Sequence, residues 1–155
     1  MEIQESSDPR DEFFMREALK EAQKAYEDDE VPVGAVLVSN GRIIAKGHNQ
    51  TEQLNDVTAH AEMIAITAAS EALGGKYLPQ CTLYVTVEPC VMCAGALGWS
   101  QIGRIVFGAS DPKRGFINFC NENLTPLHVR TQVTSGVLEN ECSELITRFF
   151  KNKRR

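Results

Sequence analysis

Apolar and polar positions recur along this chain with two periods, and the switches between them lay out its elements. Phe14, Ala18, Ala22 and Ala25 return at helical spacing after Asp8-Pro9, which predicts an amphipathic helix running to about residue 28. The period then shortens. Residues 33–39 and 42–47 read as two strands, and Asn40-Gly41 between them suits a two-residue hairpin turn, whose central positions need positive φ. Residues 50–57 are a polar loop. Helical spacing resumes at Ala61, Ile64, Ala65 and Ala68, with Thr58 as the expected N-cap and Gly74-Gly75 as the stop.

Residues 81–87 are mostly apolar, as expected of a central strand covered on both faces. Pro89 suits a first-turn position, and residues 90–100 read as a helix that leads into a strand at 105–108. Strand, helix and strand in succession predict an α/β sandwich. Residues 109–128 form an irregular segment with short helical turns, residues 129–134 are expected to add a fifth strand, and Cys142, Leu145, Ile146 and Phe149 stripe a terminal helix. At 155 residues, without internal repeats, the chain fits one domain spanning 1–155.

Candidate chemistry enters with His60, Glu62, Cys90 and Cys93. Cys90 and Cys93 fall on the opening turn of a helix, where unpaired N–H groups and the helix dipole favour thiolate, and residues i and i+3 share a face. His60 and Glu62 stand two apart, so on a regular helix they would point in nearly opposite directions and converge only beyond the helix tip. Three metal-type ligands and one spare carboxylate match a catalytic zinc site, which leaves its fourth position open, rather than a closed structural one. Taken alone, the C-x-x-C is equally readable as a redox pair, a fragment of a structural zinc site or two buried thiols. The combination H-A-E followed by P-C-x-x-C is far more specific, and it is the signature of zinc nucleobase deaminases.

Composition changes the picture in two places. Hydrophobic residues make up 43% of the chain and no apolar run approaches membrane-spanning length, so a membrane partner is not expected. The acidic N-terminus lacks a signal-peptide pattern, and five cysteines argue against a disulfide framework, so the expected location is cytoplasmic. A net charge of −5 sits awkwardly with a nucleic-acid substrate, but residues 1–30 hold 11 acidic and 4 basic side chains, leaving the remainder slightly basic. Arg148, Lys151, Lys153, Arg154 and Arg155 cluster at the C-terminus, either as a solvated helix end or as an RNA contact.

The chain resembles the bacterial tRNA-specific adenosine deaminases, members of the cytidine deaminase-like superfamily, over nearly its whole length. The residues that carry the likeness include Val31-Pro32-Val33-Gly34-Ala35-Val36, His48-Asn49, Thr58-Ala59-His60-Ala61-Glu62, Glu88-Pro89-Cys90-Val91-Met92-Cys93-Ala94-Gly95-Ala96, Val106-Phe107-Gly108-Ala109 and Phe149-Phe150. The resemblance implies a three-layer α/β/α sandwich around a mixed, roughly five-stranded sheet. It implies one zinc per subunit on His60, Cys90 and Cys93, with Glu62 moving protons while water displaces the exocyclic amine and adenosine becomes inosine. The implied substrate is the anticodon stem-loop of a tRNA, probed at its wobble position, with an arginine tRNA expected. Homodimerisation is implied as well.

By the same resemblance, Asn49 should bond the flipped nucleoside, Val33 and Val87 should line the base pocket, the backbone at Ala59 should help read the base edge, and Asp111 should lie beside the nucleotide. Asn49 also reads as a turn residue closing the preceding strand. Cys81, Cys120 and Cys142 read as packing residues. Residues 114–119 depart from the family pattern of Thr-Gly and small residues after Asp111-Pro112-Lys113, and Trp99 sits where guanine deaminases carry an aromatic residue. Two other readings therefore stand beside the first: a guanine or related free-base deaminase, and a non-catalytic zinc-stabilised binding module, against which Glu62 argues.

Overall fold

The computed structural model describes residues 1–154. The elements follow in the order β1 (Ile3–Glu5), α1 (Pro9–Glu27), β2 (Gly34–Ser39), β3 (Arg42–His48), α2 (Ala61–Leu73), β4 (Cys81–Val87), α3 (Val91–Trp99), β5 (Arg104–Ala109), a 3₁₀ turn (Phe116–Phe119), β6 (Gln132–Ser135) and α4 (Glu139–Lys153). They form one mixed sheet in the order β1-β6-β5-β4-β2-β3, antiparallel across β3-β2-β4 and parallel across β4-β5-β6-β1. The three-layer α/β/α architecture is thus present with six strands. The additional strand, β1, is a three-residue edge strand whose side chains are all exposed, so it carries no apolar period to announce it.

Period-two alternation in the strands divides the apolar side chains between two cores. Ala35, Leu37, Leu83, Val85, Ile105 and Phe107 face α2 and α3, where they meet Ala61, Ala65, Ala69, Ala94 and Leu97. Val36, Val38, Tyr84 and Val106 face the other way, onto Phe14, Met15 and Ala18 of α1 and Cys142 of α4. The hairpin turn forms as the sequence predicts, with Asn40 at φ 52° and Gly41 at φ 74°.

Small residues set how closely the helices sit. A Cβ on Gly47 would run into the Ala61 carbonyl and the Ala65 amide, so glycine at this point of β3 lets the first turn of α2 rest on the strand backbone. The C-terminal helix folds back on α1. Lys153 pairs with Asp29 at 2.6 Å, Asn152 donates to the Tyr26 hydroxyl, and Arg148 lies over the Tyr26 ring. Two of the C-terminal basic residues are therefore engaged within the chain, and Arg155 lies outside the described residues.

Candidate active site

Two helix N-termini meet at the ends of β3 and β4. The predicted cap Thr58 is displaced by two residues: the Asp56 carboxylate takes both its N–H, at 2.8 Å, and its hydroxyl, at 2.7 Å, so Thr58 closes the preceding turn instead. The cap of α2 is His60 itself, extended at φ −74°, ψ 155°. Cys90 occupies the same position before α3, at φ −73°, ψ 171°. Glu62 and Cys93 follow in the first turns. Leaving His60 half a step outside its helix resolves the i, i+2 conflict, because its ring projects beyond the tip while Glu62 stays on the buried side.

The donors converge. His60 Nδ1 stands 3.7 Å from Cys90 Sγ and 3.5 Å from Cys93 Sγ, and the three ligand atoms all lie within 4.8 Å of one another. A hydrogen bond from the Cys93 thiol, with a second from His60, lowers the Cys90 thiol to about 4 against the opposing effect of burial. Cys93 is pushed well up, first by that same bond and then by burial, and the bond to Cys90 raises His60. Three donors close enough to share protons in this way fit a divalent cation, which binds by replacing those protons. Burial pushes the Glu62 carboxyl up to about 7, and it is within hydrogen-bond reach of Cys93 without being one of the three donors.

A cavity of about 620 Å³ opens beside this cluster, lined by His60, Glu62 and Cys90. Val33, Asn49, Val87 and Asp111 line it too. Asn49 is buried, donates to the Val31 carbonyl at 3.2 Å and accepts from Thr51 N at 3.3 Å, which leaves one N–H and one lone pair of its amide uncommitted. Asp111 uses one carboxylate oxygen to cap the amides of Lys113 and Arg114. Ala59 is placed differently: it is absent from the lining, its N–H donates to Asp56 and its carbonyl accepts from Gln50. Trp99 also stands apart from the cavity, 83% exposed at the end of α3.

Several wall residues lie outside the sequence-based selection. Ser143, Ile146, Thr147 and Phe150 of α4 form one side of the cavity, so Ile146 belongs to the lining rather than to the buried stripe of Cys142, Leu145 and Phe149. Two buried carboxylates tie down the loops at the rim. Glu30 accepts from Glu52 N at 3.0 Å and Gln53 N at 2.7 Å, next to Asn49. Glu88 accepts from Asp111 N at 3.0 Å and Ile117 N at 3.1 Å, which fixes the divergent segment. A charged residue gives no local sign that it will be buried as a loop anchor, so periodicity could not find either.

The family model of the cytidine and deoxycytidylate deaminase zinc-binding region matches residues 8–109, a span that holds His60, Glu62, Cys90 and Cys93. The tRNA-specific adenosine deaminase of Bacillus subtilis (strain 168) is 49% identical over 152 residues, covering 94% of this chain and 92% of that protein. The chain belongs to the tRNA-specific adenosine deaminase family. A solved structure from work on A-to-I editing by tRNA:A34 deaminases superposes on this deaminase with a TM-score of 0.79 at 48% identity, covering 86% of this chain and 98% of that one. A guanine deaminase from Bacillus subtilis matches more narrowly, at 40% identity over 64% of each chain with a TM-score of 0.61. Zinc is accordingly the metal for which the deaminase donor set is built.

Proposed function

We propose that this chain hydrolyses adenosine to inosine at the wobble position of a tRNA anticodon, with one domain spanning residues 1–155 carrying the whole reaction. The observation that carries the reading is the convergence of three metal donors and one non-ligating, buried glutamate on a single cavity, in a chain 49% identical to a tRNA-specific adenosine deaminase. When bound by His60, Cys90 and Cys93, zinc supplies the Lewis acidity that makes hydroxide accessible near neutral pH. The chain's own residues do the rest. Glu62 takes a proton from the attacking water and delivers it to the ring nitrogen next to the carbon under attack, then takes the proton of the newly added hydroxyl and passes it to the departing amine, so that adenosine and water give inosine and ammonia. Val33 and Val87 flank the base, and Asn49 offers its free N–H and lone pair to the nucleoside.

A base paired or stacked in RNA cannot reach a recessed cluster of this kind, so the target nucleotide must be extruded from an open loop. The test is a deamination assay on the zinc-loaded protein, with an arginine tRNA anticodon stem-loop bearing adenosine at the wobble position offered beside free guanine, cytosine and adenosine. Inosine in the stem-loop with the free bases untouched is the expected result. Ammonia from guanine alone would transfer the same chemistry to a free-base substrate and overturn the tRNA assignment.

Two further features belong to this reading. The five cysteines are all unpaired, which suits a reducing cytoplasm, and no helix among the described residues is long and apolar enough to cross a membrane. The exposed side of α3 presents Val91, Met92 and the 83% exposed Trp99, an apolar surface that a second copy of the chain would cover. A homodimer should scatter light at about twice the 17.2 kDa chain mass, with Trp99→Arg shifting it toward the monomer. A wild-type monomer at micromolar concentration would remove the dimer.

A further inference from the structure

The cavity is short of positive charge for a polyanionic substrate. Glu62, Glu88 and Asp111 stand among its lining residues, and Arg114 is the one lysine or arginine there. Lys24 and Lys153, by contrast, are held in ion pairs, with Glu21 at 2.7 Å and Asp29 at 2.6 Å. Among the described residues Arg114 enters none of the ion pairs, and its only hydrogen bond outside regular backbone pairing is through its main-chain N–H, to Asp111. The residue is exposed.

The backbone that carries it is held at several points. Asp111 N and Ile117 N both donate to the buried Glu88 carboxylate, at 3.0 and 3.1 Å. Gly115 N donates to the Asp111 carbonyl and Phe116 N to the Pro89 carbonyl, each at 2.9 Å. A Cβ on Gly115 would collide with the Glu88 carboxylate, so the segment packs against Glu88 as closely as a backbone can. A loop fixed this way loses little freedom when it binds, so a cation mounted on it delivers most of its interaction as affinity.

Resting on the tRNA reading above, we propose that Arg114 binds a backbone phosphate of the RNA strand next to the nucleotide inserted in the cavity. Extruding a base into a pocket brings its flanking phosphates to the rim. A guanidinium there matches the phosphate with paired N–H donors, and it supplies the charge that the acidic lining lacks. Arg114 is a substrate-positioning residue in this scheme and takes no part in the proton transfers.

The test compares wild type with Arg114→Thr, Arg114→Lys and Lys113→Thr, all zinc-loaded, in deamination of the wobble-adenosine stem-loop over a series of salt concentrations. Arg114→Thr should raise the half-saturating RNA concentration about tenfold, the loss of one charge-assisted hydrogen bond, and leave the rate at saturation unchanged. The slope of log affinity against log salt should become shallower by about 0.7, the share of one phosphate contact on a single strand. Arg114→Lys should keep that slope while recovering only part of the affinity, because an ammonium retains the charge and loses the fork. Lys113→Thr, at an exposed residue outside the lining, should change little. Equal losses in the Lys113 and Arg114 variants, or an Arg114→Thr protein indistinguishable from wild type while wild type edits the stem-loop, would overturn the phosphate contact and leave the function standing. A wild-type protein that does not edit the stem-loop would overturn the tRNA reading and this inference with it.

Discussion

Glu62 is 3% exposed, and it stands beside a ligand cluster from which it takes no coordination role. Burial lifts its carboxyl to about 7, so it can take up and release a proton near neutral pH, as a proton carrier at this position must. Substituting Glu62→Gln keeps the volume and removes the proton carrier. Zinc content, measured by atomic emission, should stay at one ion per chain, while the deamination rate falls at least about 100-fold, the lower end of what general acid–base catalysis contributes. A variant that keeps a tenth of wild-type activity would remove the proton-transfer role, and one that loses its zinc would make Glu62 a ligand. Cys90 and Cys93 behave differently at the same scale, since Ser in place of either leaves an incomplete donor set.

At the scale of elements, what the sequence discloses depends on whether the signal is local. The hairpin from β2 to β3 is legible because Asn40-Gly41 encodes the turn chemically, and the three donors are legible because H-A-E followed by P-C-x-x-C is a specific combination, although spacing alone does not show how His60 reaches the cysteines. The N-terminus of α2 is misplaced by two residues because two local side-chain patterns compete: Thr58 is a good cap by type, but Asp56 captures it first, and the extended backbone passes to His60. That shift is what aims the imidazole at the cysteines. The wall of the cavity on α4 is hidden for another reason. Ser143 and Thr147 resemble any solvated helix face, and only the packing of Cys142, Leu145 and Phe149 against the sheet decides which way they turn. Residue type alone could equally not separate Glu30 and Glu88 from the acidic surface that dominates the first 30 residues.

Across the whole molecule, one buried charge ties the N-terminal third to the far strands of the sheet. Asp11 on α1 is fully buried and accepts from both Arg104 guanidinium nitrogens on β5, at 2.8 and 2.7 Å, from the Tyr84 hydroxyl on β4 at 2.8 Å, and from Ser6 at 2.6 Å. Arg104 also donates to Thr134 on β6 at 3.0 Å, so four elements close on one carboxylate. Burial opposes its ionisation, but the bonds from Arg104, Ser6 and Tyr84 outweigh burial and hold it below the ordinary value of 3.8. The sign follows from linkage. A carboxyl depressed in the folded state contributes stability that is complete above its unfolded value, and that contribution is lost as pH falls through about 4 and on through the folded value. Asp11→Asn should therefore cost about 3 kcal/mol at neutral pH by leaving Arg104 without its anion, a large share of the stability of a domain this size. Its unfolding midpoint should then fall less steeply than that of wild type when urea titrations are taken from pH 6 to pH 3. Zinc leaves both proteins over the same range as the cysteines protonate, so the difference between the two curves, not either curve alone, isolates Asp11. Parallel acid limbs would show that the carboxylate is not what couples α1 to the sheet. Replacing both partners with apolar residues, Asp11→Leu with Arg104→Met, should destabilise less than Asp11→Asn, because no charge is then left unpaired.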